Sequence, residues 1–182
     1  MGVDGIVRST NQYAFSGEVQ KNIISYSYGS NLTTTIQRRF TYDHAGRPLR
    51  VYHQVNESPE VLLSAYEYNQ LGHVINSVHH SRNDGGSFLY QTNNTNSIQG
   101  WLEEVTYQFS NNVLVFNQKL DYNEVSGTSN ETRLDGMITS NQWRNYESQN
   151  IQAYNYTYDL PKRLTGSAYR EYNGTSWIPN QL

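Results

Sequence analysis

Two eight-residue stretches of the chain align without a gap: Tyr42-Asp43-His44-Ala45-Gly46-Arg47-Pro48-Leu49 and Tyr68-Asn69-Gln70-Leu71-Gly72-His73-Val74-Ile75, set 26 residues apart. Repetition at such a period marks a chain built from stacked supersecondary units. A third copy, Tyr158-Asp159-Leu160-Pro161-Lys162-Arg163-Leu164, keeps the Tyr-Asp pair and the basic-apolar pair and lacks the glycine. Tyr122-Asn123 opens a degenerate fourth. The pattern has a physical logic of its own. A tyrosine ends one strand with its ring turned inward, and Asp or Asn caps the turn through a side-chain oxygen. Glycine three residues further on takes the left-handed conformation that other residues resist. An apolar residue then starts the return strand.

The rest of the chain supports strands and turns. Thr34, Ile36, Phe40 and Tyr42 fall on one face of a strand over Thr33 to Tyr42, because side chains alternate with a period of two. Similar runs cover Ile24 to Tyr28, Leu49 to Val55, Val61 to Tyr68, Val74 to Ser81, Ser87 to Thr92 and Trp101 to Phe109. Others cover Val113 to Tyr122, Met137 to Trp143, Ile151 to Tyr158 and Arg163 to Tyr172. Gly29-Ser30-Asn31, Asn83-Asp84-Gly85-Gly86 and Asn111-Asn112 carry turn chemistry between runs. Residues 123–133, rich in Ser, Thr, Asn and Gly without an apolar period, read as a long loop. No helical period intervenes, so the expected fold is all-β: successive antiparallel hairpins forming a curved sheet or ribbon. One face would carry Tyr, Leu, Ile and Val, and the other Thr, Ser, Asn and Gln.

Composition narrows the function classes. Of the 182 residues, 16 are Tyr against 5 Phe and 3 Trp, and the mean hydropathy is −0.77. Disordered chains are poor in aromatics, so tyrosine argues for order. With a net charge of −3 and basic pairs only at Arg38-Arg39 and Lys162-Arg163, a nucleic-acid face is not expected. There is no cysteine for a disulfide, a zinc ribbon or thiol catalysis. No run approaches the length of an apolar membrane span, and Met1-Gly2-Val3-Asp4 lacks the features of a signal peptide.

The repeat residues Tyr42, Asp43, Gly46, Arg47 and Leu49, with Tyr68, Asn69, Gly72 and Ile75 and the partial copy Tyr158, Asp159, Arg163 and Leu164, resemble the YD-repeat, or RHS-repeat, family. A longer block is similar to RHS-type proteins of Bacteroidota. It comprises Ile98 to Leu102, Lys119 to Asn123, Asp135 to Thr139 with Trp143, Tyr154 to Asp159, and Arg163 to Thr165. Residues 1–21 match nothing and stay unassigned; residues 22–182 form the array, with the clearest repeats at 40–65, 66–92 and 156–172. The resemblance implies a segment of a β shell that encloses a toxin or effector domain, secreted or at the cell surface, with containment as its role and no active site. Nothing after Tyr158 matches the family's aspartyl self-cleavage segment, so the chain is expected to be an internal piece. Its partners would be the remainder of the RHS-type polypeptide or its enclosed C-terminal domain, with self-association through edge strands.

No motif argues for catalysis, a metal or another cofactor. His79 and His80 are adjacent and would face opposite sides of a strand, and His44 and His73 occupy variable turn positions. The acids Glu57, Glu60, Glu103 and Glu104 do not have the placement of a glycosidase pair, and there is no Gly-x-Ser-x-Gly elbow. The main rival is a carbohydrate-binding β module at the bacterial cell surface, with Trp101, Trp143 and Trp177 as stacking platforms; for Trp101 and Trp143 structural packing is the preferred reading. Sequons at Asn31, Asn56, Asn130 and Asn173 carry little weight in so Asn-, Ser- and Thr-rich a chain.

Overall fold

A computed structural model of the chain describes residues 5–29, 32–81, 86–122, 135–148 and 150–179. The expected turns at Ser30-Asn31 and Asn83-Asp84-Gly85, the loop 123–133, and the sequons at Asn31 and Asn130 lie outside the described residues. Thirteen strands follow one another: β1 (Gly5–Tyr13), β2 (Val19–Tyr28), β3 (Leu32–Tyr42), β4 (Pro48–Val55), β5 (Val61–Tyr68), β6 (Val74–Ser81) and β7 (Phe88–Asn96). After them come β8 (Leu102–Phe109), β9 (Leu114–Asp121), β10 (Ser140–Asn145), β11 (Ile151–Tyr158), β12 (Leu164–Tyr172) and β13 (Trp177–Pro179). They form one open antiparallel sheet in which spatial order equals chain order, and no helix occurs among the described residues. The fold is therefore all-β, built of successive antiparallel hairpins. It divides into two compact units, Met1–Tyr68 with Asn76–Gln91 and Asn69–Ile75 with Thr92–Leu182.

The array begins earlier than expected. Residues 1–21 include all of β1 and the start of β2, paired from Gly5↔Tyr28 to Tyr13↔Val19. The turn between them, Ala14 to Glu18, carries Ala where the repeat has Asp or Asn, which hid it. All nine residues of β1 are exposed, at an outer edge of the sheet. The opposite edge strand, β13, is only Trp177–Pro179 and was not expected. Strand β7 runs on to Asn96, past the expected end at Thr92, through asparagines that are poor strand formers.

The faces are less polarised than expected. In the first unit the rows Ile24↔Ile36↔Val55 and Phe40↔Val51 match an apolar face. Yet among the described residues only Tyr52, Leu62 and Ala153 are buried hydrophobics, against Ser64, Ser77, Ser81, Thr92, Thr139, Ser140, Gln142 and Asn155. Tyr52 lies on the face opposite Val51. It is covered by Arg39, whose guanidinium carbon stands 3.8 Å from the ring centroid and whose Nη2 lies 2.6 Å from Glu60 Oε2.

Candidate functional site

The repeat turns share one backbone geometry. In Asp43 to Arg47 the Asp43 N–H donates to the Arg47 carbonyl at 2.9 Å and the Gly46 N–H donates to the Asp43 carbonyl at 3.1 Å. This is a type I turn followed by a left-handed residue that makes a bulge. The same two bonds close Ala14–Glu18, Asn69–His73, Ser97–Trp101, Phe109–Val113 and Asp159–Arg163. The fourth residue has positive φ each time: Gly17 100°, Gly46 76°, Gly72 87°, Gly100 86°, Asn112 63° and Lys162 68°. The expected left-handed glycines are thus present, and where the third copy lost its glycine, Lys162 takes the strained conformation instead.

The Asp or Asn side chain caps the turn as expected. Asp43 Oδ1 accepts from the N–H groups of Ala45 at 2.8 Å and Arg47 at 2.9 Å, and Asn69 Oδ1 accepts from Leu71 at 3.0 Å and His73 at 2.9 Å. Arg47 and Arg163 also reach back, donating through Nε to Asp43 Oδ2 at 2.6 Å and to Asp159 Oδ2 at 2.8 Å. The backbone N–H of Arg47, aided by its guanidinium, holds the Asp43 carboxyl below the usual carboxylate range. The apolar residues that follow begin the return strands, but burial is partial: Leu49 is half-buried, whereas Ile75 and Leu164 are 38% and 58% exposed.

What sequence reasoning missed is the partner of the tyrosine. The Tyr42 hydroxyl donates to the Val19 carbonyl at 2.7 Å, Tyr68 to Pro48 at 2.7 Å, Tyr122 to Leu102 at 2.9 Å and Tyr158 to Ile138 at 2.8 Å. Tyr42, Tyr68 and Tyr158 end odd-numbered strands and Tyr122 follows directly on β9, and each acceptor stands at or just before the start of the preceding strand. The hydroxyl therefore clasps one turn to the turn before it. In β7 the tyrosine position is Asn96, and Asn94 supplies the link by donating from Nδ2 to the Val74 carbonyl at 3.2 Å. Burial raises the pKa of the Tyr42, Tyr68 and Tyr122 hydroxyls, with Glu18 adding at Tyr42 and Glu103 at Tyr122, so they stay protonated donors. The Arg47 guanidinium also lies 4.5 Å from the Tyr68 ring centroid.

The structure separates the three tryptophans. Trp101 packs on Tyr122 with centroids 5.0 Å apart, and a Cβ on Gly136 would come within 2.7 Å of its ring. Trp177 lies 5.4 Å from Tyr172. Trp143 stacks on Tyr154 at 5.7 Å, and Tyr154 in turn meets Tyr156 at 6.4 Å and Tyr169 at 5.4 Å. In that cluster Trp143, Tyr154 and Tyr156 stack, and Tyr169 meets Tyr154 edge-on.

His79 and His80 do not face opposite sides as expected. Both meet Tyr90, at 5.0 Å and 6.2 Å, because His80 has a φ of 56° and breaks the alternation. Among the described residues no group of three or more His, Cys, Asp or Glu is placed to hold a metal ion, and no helix is long and apolar enough to cross a membrane.

The second unit contains a cleft of about 350 Å³ lined by Ser97, Gln99, Trp101, Glu103, Lys119, Leu120, Asp121 and Tyr122. Most of its polar groups are engaged. Ser97 Oγ accepts from the Trp101 N–H at 3.2 Å, Lys119 Nζ is 3.0 Å from Asp121 Oδ1, and Gln142 Nε2 donates to Asp121 Oδ2 at 2.6 Å.

No protein-family model matches the chain, and no curated protein matches it in sequence. Among solved structures it is similar to a porin-like protein from Bacteroides uniformis, with 11% identity, a TM-score of 0.38 and coverage of 97% of this chain and 88% of that one.

Proposed function

We propose that the chain is a non-catalytic structural segment of a larger YD-repeat protein, secreted or displayed at the cell surface, whose sheet contributes to a shell around an effector domain. The observation that carries this reading is the recurrence of one turn with one clasp: Tyr42, Tyr68, Asn94, Tyr122 and Tyr158 each reach back to the preceding turn. Residues that recur for turn geometry and for linking successive hairpins serve architecture, and the capping Asp and Asn are occupied by backbone N–H groups. A saccharide-binding face has less support, since Trp143 and Tyr154 stack on each other and Tyr169 packs against both.

The test uses the natural parent polypeptide. The scaffold reading expects the same Tyr-Asp turns to continue in its flanks, and an attached C-terminal domain to resist protease until the repeat region is unfolded. A parent without further repeats, or hydrolytic turnover abolished by one His or Glu substitution, would overturn it.

A further inference from the structure

The cleft in the second unit holds a charged group, Glu103, that neither the turns nor the clasps use. Trp101 and Tyr122 bring two aromatic rings together at 5.0 Å with a 35° tilt, and Glu103 lines the same cleft. The hydroxyl of Tyr122 is committed to the Leu102 carbonyl, and Lys119 and Asp121 neutralise each other. Glu103 is half-buried, and its carboxylate has no hydrogen-bond or ion-pair partner among the described residues. Ring surface, the exposed amide of Gln99 and one unspent negative charge are what remain.

That remainder discriminates between ligand classes. A saccharide is held by several free donors and acceptors beside an aromatic ring, and here the hydroxyls of Ser97 and Tyr122 are already engaged, which leaves it the Gln99 amide and a carboxylate whose charge a neutral sugar does not balance. An organic ammonium needs only the negative faces of aromatic rings and a carboxylate to balance its charge. A volume near 350 Å³ is at the lower end for small-molecule sites, which limits the occupant to a compact group. We propose that the cleft lined by Trp101, Glu103 and Tyr122 binds a small alkylated ammonium compound of choline size, with the cation between ring and carboxylate. The site is independent of the scaffold reading and adds a ligand to it.

The experiment follows the three tryptophan indole N–H signals by NMR in the intact chain, with Trp101 assigned through Trp101→Phe. Choline is the probe, and 3,3-dimethyl-1-butanol, its uncharged isostere, is the control. Choline should shift the Trp101 signal saturably with a roughly millimolar dissociation constant. The isostere should leave it unmoved. Glu103→Gln should weaken choline binding at least tenfold, while Glu104→Gln, on the neighbouring strand position, should not. Equal shifts from choline and its isostere would overturn the proposal in favour of a merely apolar cleft. Shifts from cellotriose with none from choline would overturn it in favour of a saccharide site, and no shift from any of them would overturn it outright. The isostere comparison needs no variant, so a folding defect in Glu103→Gln would not remove the test.

Discussion

Replacing a clasping tyrosine by phenylalanine removes one oxygen and keeps the ring, so the packing of Tyr42 or Tyr158 is preserved while its 2.7 or 2.8 Å bond to a backbone carbonyl is lost. A hydrogen bond of this kind contributes about 0.5–1.5 kcal/mol net. The acceptors Val19 and Ile138 are half-buried, so water replaces the lost donor only in part, and about 1 kcal/mol is expected for each substitution. In a chain of this length that lowers the thermal midpoint by roughly 2–4 °C. Tyr42 and Tyr158 belong to different units and share no partner, so the double variant should lose about 2 kcal/mol. All three tryptophans lie in the second unit, so Tyr158→Phe is read by tryptophan fluorescence during denaturant unfolding and Tyr42→Phe by far-ultraviolet circular dichroism. Tyr28→Phe is the control: its ring is 65% exposed and its hydroxyl has no partner among the described residues, so it should change stability by less than about 0.5 kcal/mol. If the clasp variants fall within the scatter of Tyr28→Phe, or if Tyr28→Phe costs as much as they do, the clasp is not a source of stability and the reasoning fails.

Further outcomes follow from the turns and the buried polar pair. Gly46→Val places a β-branched residue at a φ of 76° with its Cβ 3.2 Å from Glu18 Oε1, and should cost at least about 1 kcal/mol. Lys162→Gly is the reverse experiment. It relieves a left-handed lysine and gives up only a 3.6 Å surface ion pair to Asp135, so denaturation should show a gain of roughly 0.5–1 kcal/mol. Because the Arg47 N–H and guanidinium hold the folded Asp43 pKa below its unfolded value, its stabilisation is present above the ordinary carboxylate pKa and is lost as pH falls through the folded pKa. Acid unfolding of Asp43→Asn should lack that component, and an unchanged pH profile would show that the cap does not couple to folding. Asn155 is 4% exposed with both amide atoms unpartnered, opposite Ser140, whose hydroxyl is also unpartnered. Asn155→Val should therefore be neutral or stabilising by up to about 1 kcal/mol in denaturant unfolding; a loss of more than about 1 kcal/mol would reveal a bound partner such as an internal water.

The turns were legible because their requirements are local. Asp43, Asn69, Gly46 and Gly72 each answer to a backbone conformation within five residues, and such demands show in a single sequence. Copies that meet the same demand with other residues were hidden. Ala14–Glu18 has no capping side chain and Ser97–Trp101 caps through a serine, so only Gly17 and Gly100 betrayed them. The apolar face was overestimated because alternation in β3 reveals which residues share a face but not whether a second layer covers it. The clasps were invisible for another reason. Nothing near Tyr68 indicates that its hydroxyl will meet Pro48, since the contact depends on two hairpins placing their turns side by side. The cleft around Glu103 was unreadable on the same ground: Ser97, Trp101 and Tyr122 converge only after β8 and β9 have paired.

The clasp also bears on how such a sheet avoids error. Strands with polar side chains on both faces specify their alignment weakly, because sliding by one residue exchanges two faces of nearly equal hydrophobicity. In this chain that slip is penalised at once: it would turn the terminal tyrosine to the other face, away from the carbonyl it bonds. Each hairpin is thus checked against its predecessor by one side-chain donor, a tyrosine hydroxyl at four of the links and the Asn94 amide at the fifth. The chain could gain or lose a pair of strands without disturbing the alignment of the others, since each pair brings its own donor, tyrosine or in β7 asparagine, and leaves its own carbonyl for the next.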